Sequence, residues 1–155
     1  MSKDLAVFLA AANKAASALE LMQFTADELI RQCSTYDWAG FYLLEEGGPE
    51  PMLVLGPFHG AETPHKRIPL YRGICGAAAS CGETIIVDNV AEDPRYFSCS
   101  QLTRSEIVVP FRVHGKVAGE LDIDSDTLNA FTEEDRIFCE KVAALAGLAL
   151  EKERP

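Results

Sequence analysis

Hydrophobic positions near the start of the chain recur at the spacing of an α-helix. They are Leu5, Phe8, Leu9, Ala12, Ala16 and Leu19. This spacing predicts an amphipathic helix over the first twenty residues. Thr25 and Glu28 match a capping box and predict a second helix that ends near Cys33. At the other end of the chain, Thr132 is a typical N-cap for a long terminal helix.

Short runs of aromatic and β-branched residues between these helices predict strands. Two of them, over 38–44 and 52–58, flank a segment rich in glycine and proline that is typical of a turn. A short helix is predicted between Gly73 and Gly82, and a strand follows it. Residues 88–105 show no periodicity, and a loop of this length in a compact domain is usually functional or mobile.

The alternation of side chains over 106–124 predicts a β-hairpin and fixes its register. Each strand has one apolar face, so the register must bring the two apolar faces together. A two-residue turn would pair Ile107 with Asp122 and bury acids among apolar side chains. A three-residue turn over 114–116 instead pairs Ile107 with Ile123, and it is the turn that we predict.

This register gathers three carboxylates on one face, at one end of the hairpin. Glu106 lies opposite Asp124, and Val108 lies opposite Asp122. Facing like charges destabilise a sheet by about 0.2–1 kcal/mol for each cross-strand pair. Two interpretations remain open: a solvated acidic face, or a site in which one carboxyl group has a raised pKa and donates a proton.

Composition limits the classes of function. The chain has 155 residues, a formal net charge of −10 and no basic run, which disfavours nucleic acid and anionic membrane surfaces as partners. No apolar stretch reaches the roughly 18 residues that a membrane span requires. We therefore expect a single domain over 1–155 in the cytoplasm.

The five cysteines have no CxxC spacing, and we expect them to be reduced. Their spacing relative to the histidines matches no zinc pattern, so we expect no metal site. Cys75 lies in the first turn of the short helix, where the helix dipole lowers the pKa of a thiol. Cys99 lies in the long loop, seven residues before Glu106. Cys33 and Cys139 have apolar neighbours within helices, and we expect them to be structural.

Six segments resemble, in order and spacing, the free methionine-(R)-sulfoxide reductases, a family of single GAF domains. They are YDWAGFYLL (36–44), LVLGPFHG (53–60), RIP (67–69), RGICG (72–76), SEIVVP (105–110) and GELDIDS (119–125). The resemblance extends from about Thr25 to the C-terminal helix. It implies an α+β GAF fold, with an antiparallel sheet of about six strands, helices on one face and a ligand pocket on the other.

The resemblance also implies roles for individual residues. The family's catalytic cysteine falls on Cys99, and the cysteine of its GVCG motif falls on Cys75. Trp38 and Tyr42, which share one face of a strand, match the aromatic wall for the methyl group of the substrate. The family's pocket acids fall on Glu106, Asp122 and Asp124.

The implied reaction requires a thiol and acids but no cofactor. The Cys99 thiolate attacks the sulfoxide sulfur, Glu106 or Asp124 protonates the oxygen, and remaining carboxylate charge holds the substrate ammonium. Cys99 becomes a sulfenic acid, which a second thiol condenses to a disulfide for thioredoxin or another thiol reductant to open. The alanine-rich terminal helices would suit a homodimer as well as packing within the chain.

One position departs from the family pattern. The family's further cysteine, two residues before RIP (67–69), is His65 here. We therefore expect Cys75 to be the resolving thiol, although a thiol reductant attacking the Cys99 sulfenic acid directly is an alternative. Two other classes of protein remain open: a GAF domain that binds a small ligand without chemistry, and a thiol redox switch that uses Cys75 and Cys99.

Overall fold

The computed structural model describes residues 3–96 and 102–155 of the chain. Its helices are α1 (Leu5–Lys14), α2 (Ala18–Gln32), α3 (Gly73–Cys81) and α4 (Glu133–Glu153). Its strands are β1 (Trp38–Glu45), β2 (Met52–His59), β3 (Arg67–Pro69), β4 (Ile85–Val87), β5 (Ser105–Val113) and β6 (Lys116–Ser125). A 3-10 turn covers Val90–Glu92.

Within these ranges the six strands form one antiparallel sheet in the order β3-β2-β1-β6-β5-β4. One face of the sheet packs against α1, α2 and α4, around a core that includes Phe41, Leu121 and Phe138. The opposite face packs against α3 through a smaller apolar cluster that includes Ile74 and Val108. The α+β fold predicted from the sequence is confirmed, and the short helix α3 lies on the face opposite the other helices.

The N-terminal helices differ from the prediction. α1 ends at Lys14, and Ser17 caps α2 by accepting a hydrogen bond from the Glu20 N–H at 3.1 Å. Thr25 therefore lies inside α2, where it is buried, and the predicted capping box at this residue is wrong. The single helix predicted over the first twenty residues is also wrong, because the apolar spacing continues through Ala16 although the helix does not.

The ends of the other helices follow the prediction. Gly82 ends α3 with a positive φ of 72°, and Thr132 caps α4 in a capping box with Asp135. β3 is absent from the predicted strands because three residues are too few to show a period. It pairs with the start of β2 and extends the sheet at that edge.

The β5–β6 hairpin has the predicted register over most of its length, but the predicted three-residue turn is wrong. Ile107 pairs with Ile123, as expected. The turn itself has two residues, His114 and Gly115, with positive φ values of 51° and 80°. These angles fit a type I′ turn, whose twist matches that of the flanking strands.

A β-bulge reconciles the short turn with the predicted pairing. Arg112 pairs with Val117, whereas the preceding Phe111 pairs with Gly119. Ala118 is therefore an extra residue in β6 and shifts the register by one. Beyond this bulge, apolar residues face apolar residues and the acids share the opposite face.

Candidate active site

Four acidic side chains lie on the α3 side of the sheet. The two-residue period of β6 places Glu120, Asp122 and Asp124 on this face, and Glu106 of β5 pairs with Asp124. All four are buried, with 5% or less of each residue exposed. The solvated-face interpretation is therefore wrong. Glu120 is an additional member of the cluster that the family motif does not assign, although strand alternation places it on the same face.

Burial and mutual repulsion keep protons on this cluster. Burial, followed by the charge of Asp122, raises the pKa of Asp124 well above its usual range. Burial also raises the pKa of Asp122, while hydrogen bonds with Glu106 and Cys75 act in the opposite direction. Both aspartates interact with Glu106, and a hydrogen bond between two carboxyl groups requires a proton on one of them.

A cavity of about 320 Å³ opens beside these acids. Its volume is in the range of small-molecule sites. It is lined by Asp37, Trp38, Tyr42, Ala61, Glu62, Thr63, Leu102, Thr103, Asp122, Asp124 and Asp126. Asp122 and Asp124 each have one carboxylate oxygen, Oδ1, that is buried and makes no hydrogen bond among the described residues. Asp122 and Asp124 therefore place acidic side chains at the cavity.

Trp38 and Tyr42 both line the cavity, and they share one face of β1 as their spacing predicts. The Trp38 Nε1–H donates to the Ala61 carbonyl at 3.0 Å, and the Tyr42 hydroxyl donates to the His65 carbonyl at 2.8 Å. Both rings are therefore fixed before a ligand arrives. Gly40 lies between them, and a Cβ at this position would approach the Trp38 ring to 2.4 Å. Glycine is needed here because the indole lies across the strand.

Cys75 lies in the first turn of α3, directly above the acids. Its Sγ–H donates to Asp122 Oδ2 at 3.4 Å, and the residue is buried. Burial, followed by the charges of Asp122, Glu120 and Glu106, raises the pKa of this thiol well above its usual value. The lowered pKa expected from the helix N-terminus is therefore wrong, because the folded protein buries the thiol and places it beside the acids of the sheet.

His65 and Cys75 border a second, much smaller void of about 10 Å³ together with Glu106. His65, which occupies the position of the family's further cysteine, thus lies close to Cys75. Cys99 falls outside the described residues, but Leu102, three residues later, lines the main cavity.

The remaining cysteines lie away from the cavity. Cys33 and Cys139 belong to the core on the helical face, which agrees with their expected structural role. Cys81 is exposed at the end of α3.

Donor atoms of Cys75, Glu106 and Asp122 lie within 4.8 Å of one another. Among the described residues, these three side chains form the one cluster whose donor atoms are close enough to ligate a metal ion together. The thiol–carboxylate hydrogen bond and the hydrogen bonding between the carboxyl groups account for this proximity without an ion.

Among the described residues, no helix has both the length and the apolar character needed to cross a membrane.

A family profile described as GAF domain matches residues 15–151. The fold and the ligand cavity together define a GAF domain.

Comparisons with individual proteins identify a more specific family within the GAF domains. Protein YtsP of Bacillus subtilis is 41% identical over 74% of this chain and 68% of its own length. The free methionine-R-sulfoxide reductase of Escherichia coli is 38% identical over 77% of this chain and 69% of its own length. A solved structure of the free methionine-R-sulfoxide reductase from Neisseria meningitidis, in complex with its substrate, has a TM-score of 0.89 at 32% identity and covers 99% of this chain and 95% of that one. The chain belongs to the free methionine-R-sulfoxide reductase family of GAF domains.

Proposed function

We propose that this chain reduces free methionine (R)-sulfoxide to methionine. The observation that carries the proposal is a cavity with an aromatic wall at Trp38 and Tyr42 and a buried acidic wall at Asp122 and Asp124. A free amino acid has an ammonium group that an acidic wall binds, whereas the nitrogen of a methionine within a peptide is a neutral amide. The cavity therefore favours the free amino acid, and the preference for the R epimer rests on the named relatives.

In the proposed reaction, the Cys99 thiolate attacks the sulfur of the sulfoxide. The S–O bond breaks as the oxygen is protonated, so methionine leaves and Cys99 carries the oxygen as a sulfenic acid. Asp124 is a suitable proton donor, with Glu106 as its partner, because burial raises the pKa of Asp124 and keeps a proton near the cavity. Asp122 lines the cavity and holds the substrate ammonium; burial raises its pKa, and the hydrogen bonds with Glu106 and Cys75 oppose that rise.

We further propose that Cys75 resolves the sulfenic acid. The Cys75 sulfur bonds to the Cys99 sulfur, and the thiol proton leaves with the hydroxyl group as water. Asp122 accepts the hydrogen bond of this thiol and is therefore placed to relay its proton to the departing hydroxyl group. Thioredoxin or another dithiol then reduces the disulfide and is itself oxidised.

The primary test measures methionine release from separate R and S epimers of free methionine sulfoxide, with dithiothreitol as reductant. We expect turnover of the R epimer only, its loss in Cys99→Ser, and normal turnover in Cys81→Ser, whose thiol is exposed outside the cavity. N-acetylmethionine (R)-sulfoxide should be a poor substrate because it lacks the ammonium. Absence of turnover by the folded, reduced protein would refute the proposal.

The test also separates the alternative classes. Trp38 is the single tryptophan and lines the cavity, so its fluorescence reports ligand binding. Binding without turnover would favour a ligand-binding domain. A disulfide between Cys75 and Cys99 without turnover would favour a redox switch. If turnover with thioredoxin were as fast in Cys75→Ser as in the parent, Cys75 would not be the resolving thiol.

We propose a homodimer through the helical side of the molecule. Leu9 of α1, Leu19 of α2, and Ile137 and Leu148 of α4 are about half exposed, at 46–54%. Ile137 and Leu148 are eleven residues apart, or about three turns, and so share one face of α4. Sedimentation velocity should show a dimer that Ile137→Glu dissociates, whereas a monomeric parent would contradict it.

A further inference from the structure

Thr103 is a buried threonine in the wall of the cavity that would receive the substrate. It precedes β5, lines the cavity, and has only 8% of its surface exposed. Its hydroxyl group makes no hydrogen bond with the described residues, and its oxygen is not among the unpartnered polar atoms that these residues enclose completely. The hydroxyl group is therefore accessible to a ligand in the cavity.

Most of the other polar side chains in the cavity wall cannot donate a hydrogen bond to a ligand. The Trp38 Nε1–H and the Tyr42 hydroxyl group each donate to a backbone carbonyl. The acidic side chains accept hydrogen bonds and donate only when they are protonated. Thr63 is a second threonine in the wall, and its Oγ1 accepts a hydrogen bond from the His65 N–H at 3.1 Å, which leaves its hydroxyl hydrogen available. Among the described side chains of the wall, the hydroxyl groups of Thr63 and Thr103 are therefore the candidates for a neutral donor.

The place of Thr103 in the fold brings it close to the acids. The N–H of Arg104 donates to the Ser125 carbonyl at 2.7 Å, so Thr103 and Asp124 are each one residue away from a directly bonded pair. Thr63 belongs to the connection between β2 and β3, and β1 separates these strands from β6. The ammonium and carboxylate groups of an α-amino acid share one carbon atom, so a donor for the carboxylate must lie near the acids that hold the ammonium. The strand order therefore favours Thr103 over Thr63.

We propose that Thr103 makes the site specific for a free α-carboxylate, by donating its hydroxyl hydrogen to this group of the substrate. The inference rests on the proposed function, in which Asp122 holds the substrate ammonium. The acids repel a carboxylate, so this group needs a donor without negative charge, and a hydrogen bond to a charged acceptor is stronger than one to a neutral amide. A methionine at the N-terminus of a peptide has the ammonium but carries an amide in place of the carboxylate. The site thus recognises the free amino acid by both of its polar groups.

The test compares two substrates that differ only in the carboxylate. Free methionine (R)-sulfoxide and methionine amide (R)-sulfoxide have the same ammonium group and the same sulfoxide. Thr103→Val removes the hydroxyl group and nearly keeps the shape of the side chain, Thr103→Ser keeps the hydroxyl group, and the exposed Thr35→Val is the matched control. With dithiothreitol as reductant, we expect Thr103→Val to raise KM for the free amino acid about tenfold and KM for the amide less than about threefold. Thr103→Ser and Thr35→Val should stay close to the parent for both substrates.

The pattern across the two substrates decides the role of Thr103. A parent that does not distinguish the free acid from the amide, an unchanged KM in Thr103→Val, or an equal loss for both substrates would each overturn the proposal. Thr63→Val is measured in the same way, and loss of the preference for the free acid in this variant alone would also overturn it.

A binding measurement separates this proposal from the proposed function. Trp38 lines the cavity, so its fluorescence gives the Kd of each sulfoxide without turnover. The Kd values should follow the pattern expected for KM, and circular dichroism verifies that each variant is folded. If the parent released no product from either substrate, the proposed function would be refuted. The Kd values of the parent and Thr103→Val would still show whether the hydroxyl group recognises the carboxylate.

Discussion

Glu120→Gln should change the pH dependence of stability in a defined direction. Burial and the charge of Asp122 raise the pKa of Glu120 in the folded protein, whereas the unfolded chain has an ordinary glutamate. A carboxyl group with a raised folded-state pKa contributes most below its unfolded pKa, and its contribution is lost as the pH rises toward the folded value. The contribution of Glu120 to the free energy of unfolding of the parent should therefore fall as the pH rises above about 4.3, the ordinary glutamate pKa.

The magnitude follows from one proton. While the folded state keeps the proton and the unfolded state has released it, each pH unit lowers the free energy of unfolding by about 1.4 kcal/mol. Gln does not titrate, so this slope is absent from the variant. The difference in free energy of unfolding between Glu120→Gln and the parent should grow by about 1.4 kcal/mol for each pH unit above about 5, until the folded-state pKa is reached.

Urea denaturation at half-unit steps from pH 5 to pH 8, followed by Trp38 fluorescence and circular dichroism, measures this slope. Glu46→Gln is the matched control, because it makes the same substitution at an exposed position. Its difference from the parent should stay constant with pH. If the Glu120→Gln difference were equally flat, Glu120 would be ionised in the folded protein, and the reasoning from burial would be refuted.

Three further substitutions test packing, chemistry and the separation of the two faces. Gly119→Ala should lower the free energy of unfolding by about 1–3 kcal/mol, because its Cβ would lie 2.5 Å from the carbonyl oxygen of Tyr42; an unchanged urea midpoint would contradict this. Asp124→Asn should slow methionine release in the first turnover by about 10²-fold, since an amide cannot supply the proton; a parental rate would exclude Asp124 as the donor. Tyr36→Phe, which removes a hydrogen bond to Asp135 on the helical face, should cost about 1–2 kcal/mol without changing KM; a raised KM would show that the faces are coupled.

The sequence alone predicts the acidic face because strand geometry leaves few choices. Side chains in a strand alternate with a period of two, so pairing Ile107 with Ile123 also places Glu106 opposite Asp124. The apolar pattern decided this register even though the predicted turn was wrong. The bulge at Ala118 makes up the one-residue difference between the predicted turn and the observed one. Such an irregularity is set by turn geometry rather than by hydrophobicity.

What the sequence could not reveal depends on contacts between distant segments. Cys75 and Asp122 are 47 residues apart, and their hydrogen bond exists only because α3 packs across β5 and β6. The pKa of the thiol therefore rises, although its place in a helix predicts the opposite. The burial of Glu120 has the same cause. Its position on the acidic face follows from alternation, but nothing in its neighbours along the chain indicates that α3 covers it.

The two faces of the sheet divide stability and chemistry between them. The helical face holds the larger core, in which residues such as Phe8, Leu29 and Ile123 have no measurable exposure. The α3 face carries four buried acids and a thiol, and the raised pKa values of Glu120, Asp122, Asp124 and Cys75 oppose folding as the pH rises. Since β1 and β6 contribute side chains to both faces, the large core holds the acids in place despite their cost. Neutralising one acid should therefore stabilise the protein near neutral pH while removing a proton that the proposed reaction uses.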